Sequence, residues 1–543
     1  MSQIIQTFNK NTVLYLSLIL TLGFIIRFYY FPYEIPISND GYFSFIYSVK
    51  TVFEGNLPIG YTTTNTGWSN FLSLIFLISD KSNPEFLMNI QRVCSVTFSV
   101  ITVIPGFFIF KRFFHPNLAL LPCLLLILEP RLLLISLDGI NFSFYIFLFV
   151  TIIALFLKYT TKSLVICFIL LGIITLVRYE GLILIFPLTV FYFIKSKNKK
   201  EVFRYLILLS IFLIILFSVT TLRIDATENI CYTTKTNSFC GQDGIFSNFI
   251  GIIDFYDRYI ISGEQISEEL NSSYDIHRDV YNKPGETMIG YSLLESFSRL
   301  IKFIGLSLIP IFFILLPISI FFIIKNKKRL EINPEIKFMI FTSSFMLLPS
   351  IYAYTRGIDE IRYVLILIPL FCIISLLFFK NLIKYDKINT KIILIIFIMI
   401  LCSSIIFIEY KKPDYVFERE SVKISEEILS LTNSMNAYPS SGYVKATKLV
   451  NMWPELPLPV SDAMGKIKNP YGTLKLSTEK FTTIEEFVME SKKLGIEYIV
   501  VEQNDSFFND LRENPKKYVY LEKIFDSKES NFVHIFDIYK LSL

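Results

Sequence analysis

From about residue 12 to residue 408 the chain alternates long apolar runs with short charged clusters. A helix that crosses a bilayer needs about 20 mostly apolar residues. Runs near that length are Thr12–Phe31, Phe86–Phe110, Leu118–Ser136, Phe142–Leu157, Ser163–Val177, Gly181–Ile194, Val202–Leu222, Leu300–Ile324, Ile336–Tyr354, Tyr363–Phe379 and Ile392–Ile408. The pattern predicts a polytopic α-helical membrane protein of about 11 transmembrane helices. The first run exceeds the apolar core of a signal peptide, about 7–15 residues, and no small-residue cleavage site follows it. It reads as the first membrane helix.

Lys and Arg in short loops set orientation. Alternate connections are basic: Lys111-Arg112, Lys158 with Lys162, Lys195 to Lys200, Lys325 to Arg329, and Lys380 to Lys391. These belong on the cytoplasmic side. The other connections hold Asp138-Gly-Ile-Asn, Arg178-Tyr-Glu-Gly and Arg356-Gly-Ile-Asp-Glu. Reading Ser163–Ile194 as two spans keeps every later basic cluster inside. Three longer segments then face outward: about 32–85, about 223–299, and everything after Glu409.

After Glu409 the composition changes, and residues 409–543 read as an extracytoplasmic α/β domain attached to a transmembrane domain, 1–408. Thr482 to Leu494 has a helix pattern, with Thr482 or Thr483 as cap, Glu485 and Glu486 in the first turn and Gly495 as stop. Ile496 to Val501 is an apolar strand, and Phe532 to Tyr539 is strand-like.

Composition agrees with the bilayer as solvent. The chain is 53% hydrophobic and 18% charged, against about 45–50% and about 25% for soluble domains. A net charge of +5 over 543 residues gives no argument for nucleic acid. Of seven Cys, five lie within apolar runs, where a thiol behaves as a small hydrophobe. Cys231 and Cys240 fall in the second outer segment and are candidates for a short disulfide loop, with two free thiols as the alternative. Asn271 and Asn504 begin glycosylation sequons in outer segments.

The chemistry-bearing residues gather at the outer helix ends. Asp40 stands just before an amphipathic stretch, about Tyr42–Phe53. Spacing alone allows it to be a helix cap or a general base. Nearby stand Glu54-Gly55 and Gly67-Trp68-Ser69-Asn70. This arrangement resembles the first outer loop of the GT-C superfamily of glycosyltransferases, which use polyprenyl-phosphate sugars. Asp138-Gly139-Ile140-Asn141, Arg178-Tyr179-Glu180-Gly181, Arg362-Tyr363 ahead of Pro369, and Pro459-Val460-Ser461-Asp462 are similar to further motifs of that group, in the same order.

The resemblance implies a GT-C fold and transfer of a sugar from a polyprenyl- or dolichyl-phosphate to an acceptor hydroxyl, with inversion, on the outer face. Asp40 would be the base, and Arg178 and Arg362 would hold the lipid phosphate, with Arg356 and Arg131 behind them. Asp138 would contact sugar or acceptor. Glu180 suits pairing with a neighbouring Arg. Trp68 could stack on a sugar or bury at the interface, and Asn70 completes its motif. Arg27, late in its run, reads as snorkelling to the headgroups. The implied partners are the lipid-linked donor, a glycan, lipid or protein acceptor, and membrane lipids. No cofactor is certain. Relatives often carry two acids where this chain has Asn39-Asp40, and one carboxylate binds a divalent cation poorly, so the need for metal stays open.

Two other classes compete: a transporter or flippase, and a non-catalytic binder of lipid-linked glycans. Transporters usually show paired halves and broken helices near the midplane, and no such pairing is legible. The oligosaccharyltransferase catalytic subunit, a related fold, carries a Trp-Trp-Asp-Tyr-Gly signature that is absent here; the chain has only two Trp.

Overall fold

The apolar runs become helices, and the places where those helices break position the polar groups. A computed structural model describes residues 10–33, 35, 37, 39–55, 57, 66–80, 83–196, 199–227, 293–325, 334–355, 360–383, 390–412, 437–438, 460–461, 467–468, 481–493, 496–502, 505–529, 532 and 535–542. The chain forms two compact units. One comprises Met1–Phe31, Thr62–Leu72 and Gln91–Lys412; the other Pro32–Tyr61, Ser73–Ile90 and Pro413–Leu543. Cys231, Cys240, Asn271, Arg356, Asp462 and Asn504 lie outside the described residues.

In chain order the helices are α1 (Lys10–Tyr29), α2 (Asn39–Glu54), α3 (Gly67–Leu77), α4 (Pro84–Ile101), α5 (Val103–Phe110), α6 (Leu120–Leu128), α7 (Pro130–Leu137), α8 (Phe142–Lys158), α9 (Thr161–Val177), α10 (Ile185–Lys195) and α11 (Lys199–Thr227). Further along the chain come α12 (Leu293–Leu308), α13 (Phe312–Lys325), α14 (Pro334–Phe345), α15 (Leu348–Thr355), α16 (Ile368–Ile383) and α17 (Thr390–Lys411). Two 3₁₀ turns, Tyr179–Leu184 and Ile361–Leu367, lead into α10 and α16.

Every predicted apolar run is helical, α or 3₁₀, over most of its length. The number of crossings is a different quantity. Among the described residues four helices are long and apolar enough to cross a membrane, or up to six if each of two bent pairs is one span. α8 and α9 have 17 residues each, so each rises about 25 Å against a hydrocarbon core of about 30 Å.

One bent pair corrects the sequence reading. Leu300–Ile324 is not a single rod, because α12 and α13 meet at 106°. Pro310 sits at the elbow, and proline offers no N–H and clashes with the preceding turn. The other pair, α6 and α7, meets at 51° across Glu129. Pro130 opens α7 and drives Glu129 into extended backbone (ψ 114).

A break in an apolar bundle strands backbone groups, and here side chains take them up. The Glu129 carboxylate accepts the Leu132 N–H at 2.8 Å, capping α7. Arg27 Nη1 donates to the Ile127 carbonyl at 3.2 Å, and the Ser404 hydroxyl donates to that of Leu128. Arg131 donates to the Ile309 carbonyl at the other elbow. Arg27 therefore does not snorkel. It is fully buried, and Nη1 and Nη2 also donate to the Gly23 carbonyl and Ser99 Oγ at 3.2 and 2.9 Å.

Two motif glycines allow close approach. A Cβ on Gly181 would stand 2.9 Å from the Ile174 backbone, and one on Gly67 would stand 2.7 Å from that of Leu176 and Val177. The Gly181 contact lets the 3₁₀ turn fold back on α9.

In the second unit α2 buries Phe45, Ile46, Tyr47 and Val49, and Phe45 meets Phe76 edge to face at 5.9 Å. The tail holds a four-stranded sheet in the order β1-β4-β6-β5, from β1 (Ala437–Tyr438), β4 (Tyr498–Glu502), β5 (Leu521–Asp526) and β6 (Phe536–Leu541). A separate pair joins β2 (Val460–Ser461) to β3 (Ile467–Lys468). β1 runs parallel to β4; β6 is antiparallel to both β4 and β5. Helix α18 (Ile484–Lys493) starts where the sequence predicts, with Thr483 Oγ1 accepting the Glu486 N–H at 3.2 Å. Its Phe487 and Val488 share a core with Ile499, Val501 and Tyr539.

Two measurements check this packing. Gly181→Ala should destabilise the protein by about 1–3 kcal/mol, as overpacking does, lowering the melting temperature of the detergent-solubilised chain; an unchanged melt would contradict the close approach. Phe487→Ala should cost the tail about 3–5 kcal/mol, read as a lower denaturant midpoint for its proteolytic release.

Candidate functional site

Four segments of the first unit converge on one small cleft. They are the start of α8, the bend after α9, the start of α15 with Met346 just before it, and the 3₁₀ turn Ile361–Leu367. Arg178, Glu180 and Arg362 line it, with Tyr145, Tyr363 and apolar groups such as Ile366. The two arginines are far apart in sequence and reach the same space.

The bend follows from local structure. Thr160 and Ser163 form a capping box that starts α9. The helix ends at Arg178, in extended backbone (φ −149, ψ 131), and the 3₁₀ turn begins at the next residue. Arg178 and Glu180 thereby point to the same side. Arg178 Nε and Nη2 both donate to Glu180 Oε1, at 3.2 and 2.6 Å. The Tyr145 and Tyr363 ring centres stand 5.6 and 5.8 Å from the guanidinium carbon, within cation–π range. Burial alone would lower the Arg178 pKa, but the Glu180 charge and hydrogen bond outweigh it, and the net direction is upward. The guanidinium stays charged.

Arg362 pairs with Glu360 as Arg178 pairs with Glu180. Its turn is held from behind: Ser350 Oγ donates to the Tyr363 carbonyl at 3.0 Å, and the Tyr354 hydroxyl to that of Glu360 at 2.9 Å. The cleft thus offers two paired guanidiniums among aromatic and aliphatic side chains. That lining suits an amphiphile with an anionic head.

Other predicted residues stand elsewhere. Asp138 caps α7 at its C-terminus, outside the described lining of the cleft. Its turn is fixed from α4, where Gln91 donates to the Gly139 carbonyl at 2.8 Å. The Asn141 amide approaches the Val177 carbonyl at 3.5 Å, tying this turn to the Arg178 bend.

Trp68 is a correction. Its ring is fully buried, packed on Phe71, Phe144 and Phe98 at 5.7, 5.6 and 6.2 Å, and presents no face to a sugar. Asn70 continues α3, its N–H donating to the Thr66 carbonyl at 2.7 Å. Arg131 is engaged by Glu129 at 3.3 Å, by the Ile309 carbonyl and by the Phe407 ring at 4.8 Å, which makes it a brace.

Asp40 belongs to the second unit, and the helix that contains it begins at Asn39, so Asp40 lies within the first turn rather than ahead of it. Among the described residues no group of three or more His, Cys, Asp or Glu could hold a metal ion. Sequence reasoning missed Tyr145, whose only signal was a phenol among phenylalanines one turn into α8.

The pattern of the dolichyl-phosphate-mannose-protein mannosyltransferase family matches residues 70–222, which include Asp138, Arg178 and Glu180. No curated protein matches the chain in sequence. Among solved structures, the Archaeoglobus fulgidus oligosaccharyltransferase in its apo form aligns over 91% of this chain and 70% of its own, with TM-score 0.52 and 13% identity. The same organism's AglB, in complex with an inhibitory peptide and a dolichol-phosphate, aligns over 91% and 69%, with TM-score 0.50 and 13% identity. A looser likeness, TM-score 0.42 at 10% identity over 80% of this chain and 74% of the other, is to ArnT from Cupriavidus metallidurans bound to undecaprenyl phosphate. The likeness to the oligosaccharyltransferase is one of fold. The family pattern over residues 70–222 and the likeness of fold together support a GT-C superfamily membrane protein.

Proposed function

We propose that the protein is a membrane glycosyltransferase. It moves a sugar from a polyprenyl- or dolichyl-phosphate donor to an acceptor hydroxyl, with inversion, on the extracytoplasmic face. The observation that carries this reading is the convergence of Arg178 and Arg362 on a cleft lined otherwise by aromatic and apolar groups. The family pattern and the dolichol-phosphate held by AglB support it.

The leaving group is a phosphate, so no general acid is needed. What it needs is positive charge already in place, and an arginine fork matches phosphate oxygens. Arg178 and Arg362 fill this role, and Glu180 orients Arg178 by taking its Nε and Nη2 edge. Asp40 takes the proton from the acceptor hydroxyl as it attacks the anomeric carbon. Asp138 serves acceptor or sugar binding. In this reading the outer helix ends and the tail domain face outward, which the alternation of basic and less basic loops supports.

The test uses the purified full-length chain with labelled lipid-phosphate sugars. Asp40→Asn should lose about 10²–10⁴-fold in turnover while lipid-phosphate binding is retained. Arg362→Gln should weaken that binding by about 10–100-fold, the ~1.5–3 kcal/mol of a hydrogen bond to a charged group. Wild-type turnover in Asp40→Asn would remove the base from the mechanism, and unchanged binding in Arg362→Gln would remove the phosphate site from the cleft.

A further inference from the structure

We infer that α12 is not part of a span but an amphipathic helix lying in the headgroup boundary of the bilayer, against the end of the bundle that holds the cleft. The inference about depth stands on the geometry of α12 alone; only its consequence for the donor rests on the transferase reading.

The helix has three distinct faces. Ser296, Leu300, Phe303 and Ser307 are buried, and their spacing of four, three and four residues forms one stripe. Leu300 and Phe303 pack there against Tyr354 and Val364. A second stripe, one residue on, is apolar: Phe297, Ile301, Ile304 and Leu308, with Phe297 and Ile301 47% and 69% exposed. The remaining side carries Ser298, the half-buried Arg299 and Lys302 interspersed with exposed Leu306, and the Lys302 ammonium stands 5.7 Å from the Phe303 ring.

One face held by protein, one apolar flank and one edge carrying Arg299 and Lys302 are what the water–lipid boundary requires. A spanning helix with this pattern would carry Lys302 and Arg299 at depth, where charge is costly. It would also be short, since 16 residues rise about 24 Å. The 106° elbow turns α12 across the direction of α13, and Arg131 fastens that elbow at the Ile309 carbonyl. Beyond the elbow α13 also exposes Phe313, Ile314 and Phe321, which adds apolar surface of the same kind. The occupant of that surface is membrane lipid, with the Lys302 edge against anionic headgroups.

Val364 belongs to the same 3₁₀ turn as Arg362 and Tyr363. Fixing α12 at the headgroup boundary therefore fixes the cleft near the depth where a lipid phosphate resides.

The test is fluorescence quenching of the full-length protein in phosphatidylcholine–phosphatidylglycerol vesicles. The lipids are brominated either near the headgroup or near the acyl terminus. Tryptophan is added at one exposed position at a time, and its signal is read above that of native Trp68 and Trp453. Ile301→Trp, with Phe297→Trp as the second reading of the same flank, should be quenched at least about twofold more by the shallow label, as for a helix about 5–10 Å below the headgroups. Phe321→Trp, about 13 Å along α13 from Phe312, should show the reverse. Equal or stronger deep quenching at Ile301→Trp and Phe297→Trp, or no quenching by either lipid, would overturn the inference. Neither result would bear on turnover in Asp40→Asn.

Discussion

Lipid offers no hydrogen bonds, so each backbone group freed by a helix break must find a partner inside the protein. That constraint organises this bundle. The break at Glu129-Pro130 frees carbonyls at the end of α6 and N–H groups at the start of α7. Arg27, Ser404 and Glu129 reach them from three separate places in the chain. These polar residues tie α1 and α17 to the middle of the first unit. Arg131 extends the same logic to the elbow between α12 and α13.

With its breaks satisfied, the bundle can use broken segments as walls. The bend after α9 and the turn before α16 are 3₁₀ segments that open long helices. Each presents an arginine together with a glutamate two residues away. A lone guanidinium in such surroundings would bear its desolvation uncompensated. The glutamate compensates it and fixes the direction of the fork. The pairing also leaves the four side chains Arg178, Glu180, Arg362 and Glu360 with no net charge. Anion binding there would come from the geometry of donors rather than from bulk positive potential.

The helices were legible because hydropathy is a local property. The α18 cap was legible because Thr483 and Glu486 lie within one turn. What could not be read depended on distance or on face. Leu300–Ile324 is apolar enough to count as a span, yet the stripe Ser296, Leu300, Phe303, Ser307 and the elbow at Pro310 divide it. β5 escaped notice because its register shifts between Lys523 and Phe525, which spoils alternation. Trp68 read as stacking on a sugar or burying at the membrane interface, because Phe98 and Phe144, which enclose it within the protein, come from other helices. The resemblance assigned Arg178 and Arg362 to one phosphate; that Tyr145 joins them was not legible.

Arg27 and Arg178 make that last point sharpest. Each lies near the end of an apolar run, and position alone offers snorkelling for both. Their partners separate them. Arg27 donates to two backbone carbonyls and a serine hydroxyl, groups that the fold must satisfy in any state, and it is sealed from solvent. Arg178 donates to a carboxylate, is flanked by two phenol rings and lines the cleft. Backbone acceptors inside a bundle cannot be exchanged for a ligand without unravelling a helix end. A carboxylate beside a cleft can share its cation with an incoming anion. The difference between a brace and a binding group therefore lies in what the guanidinium donates to, and the sequence does not state that.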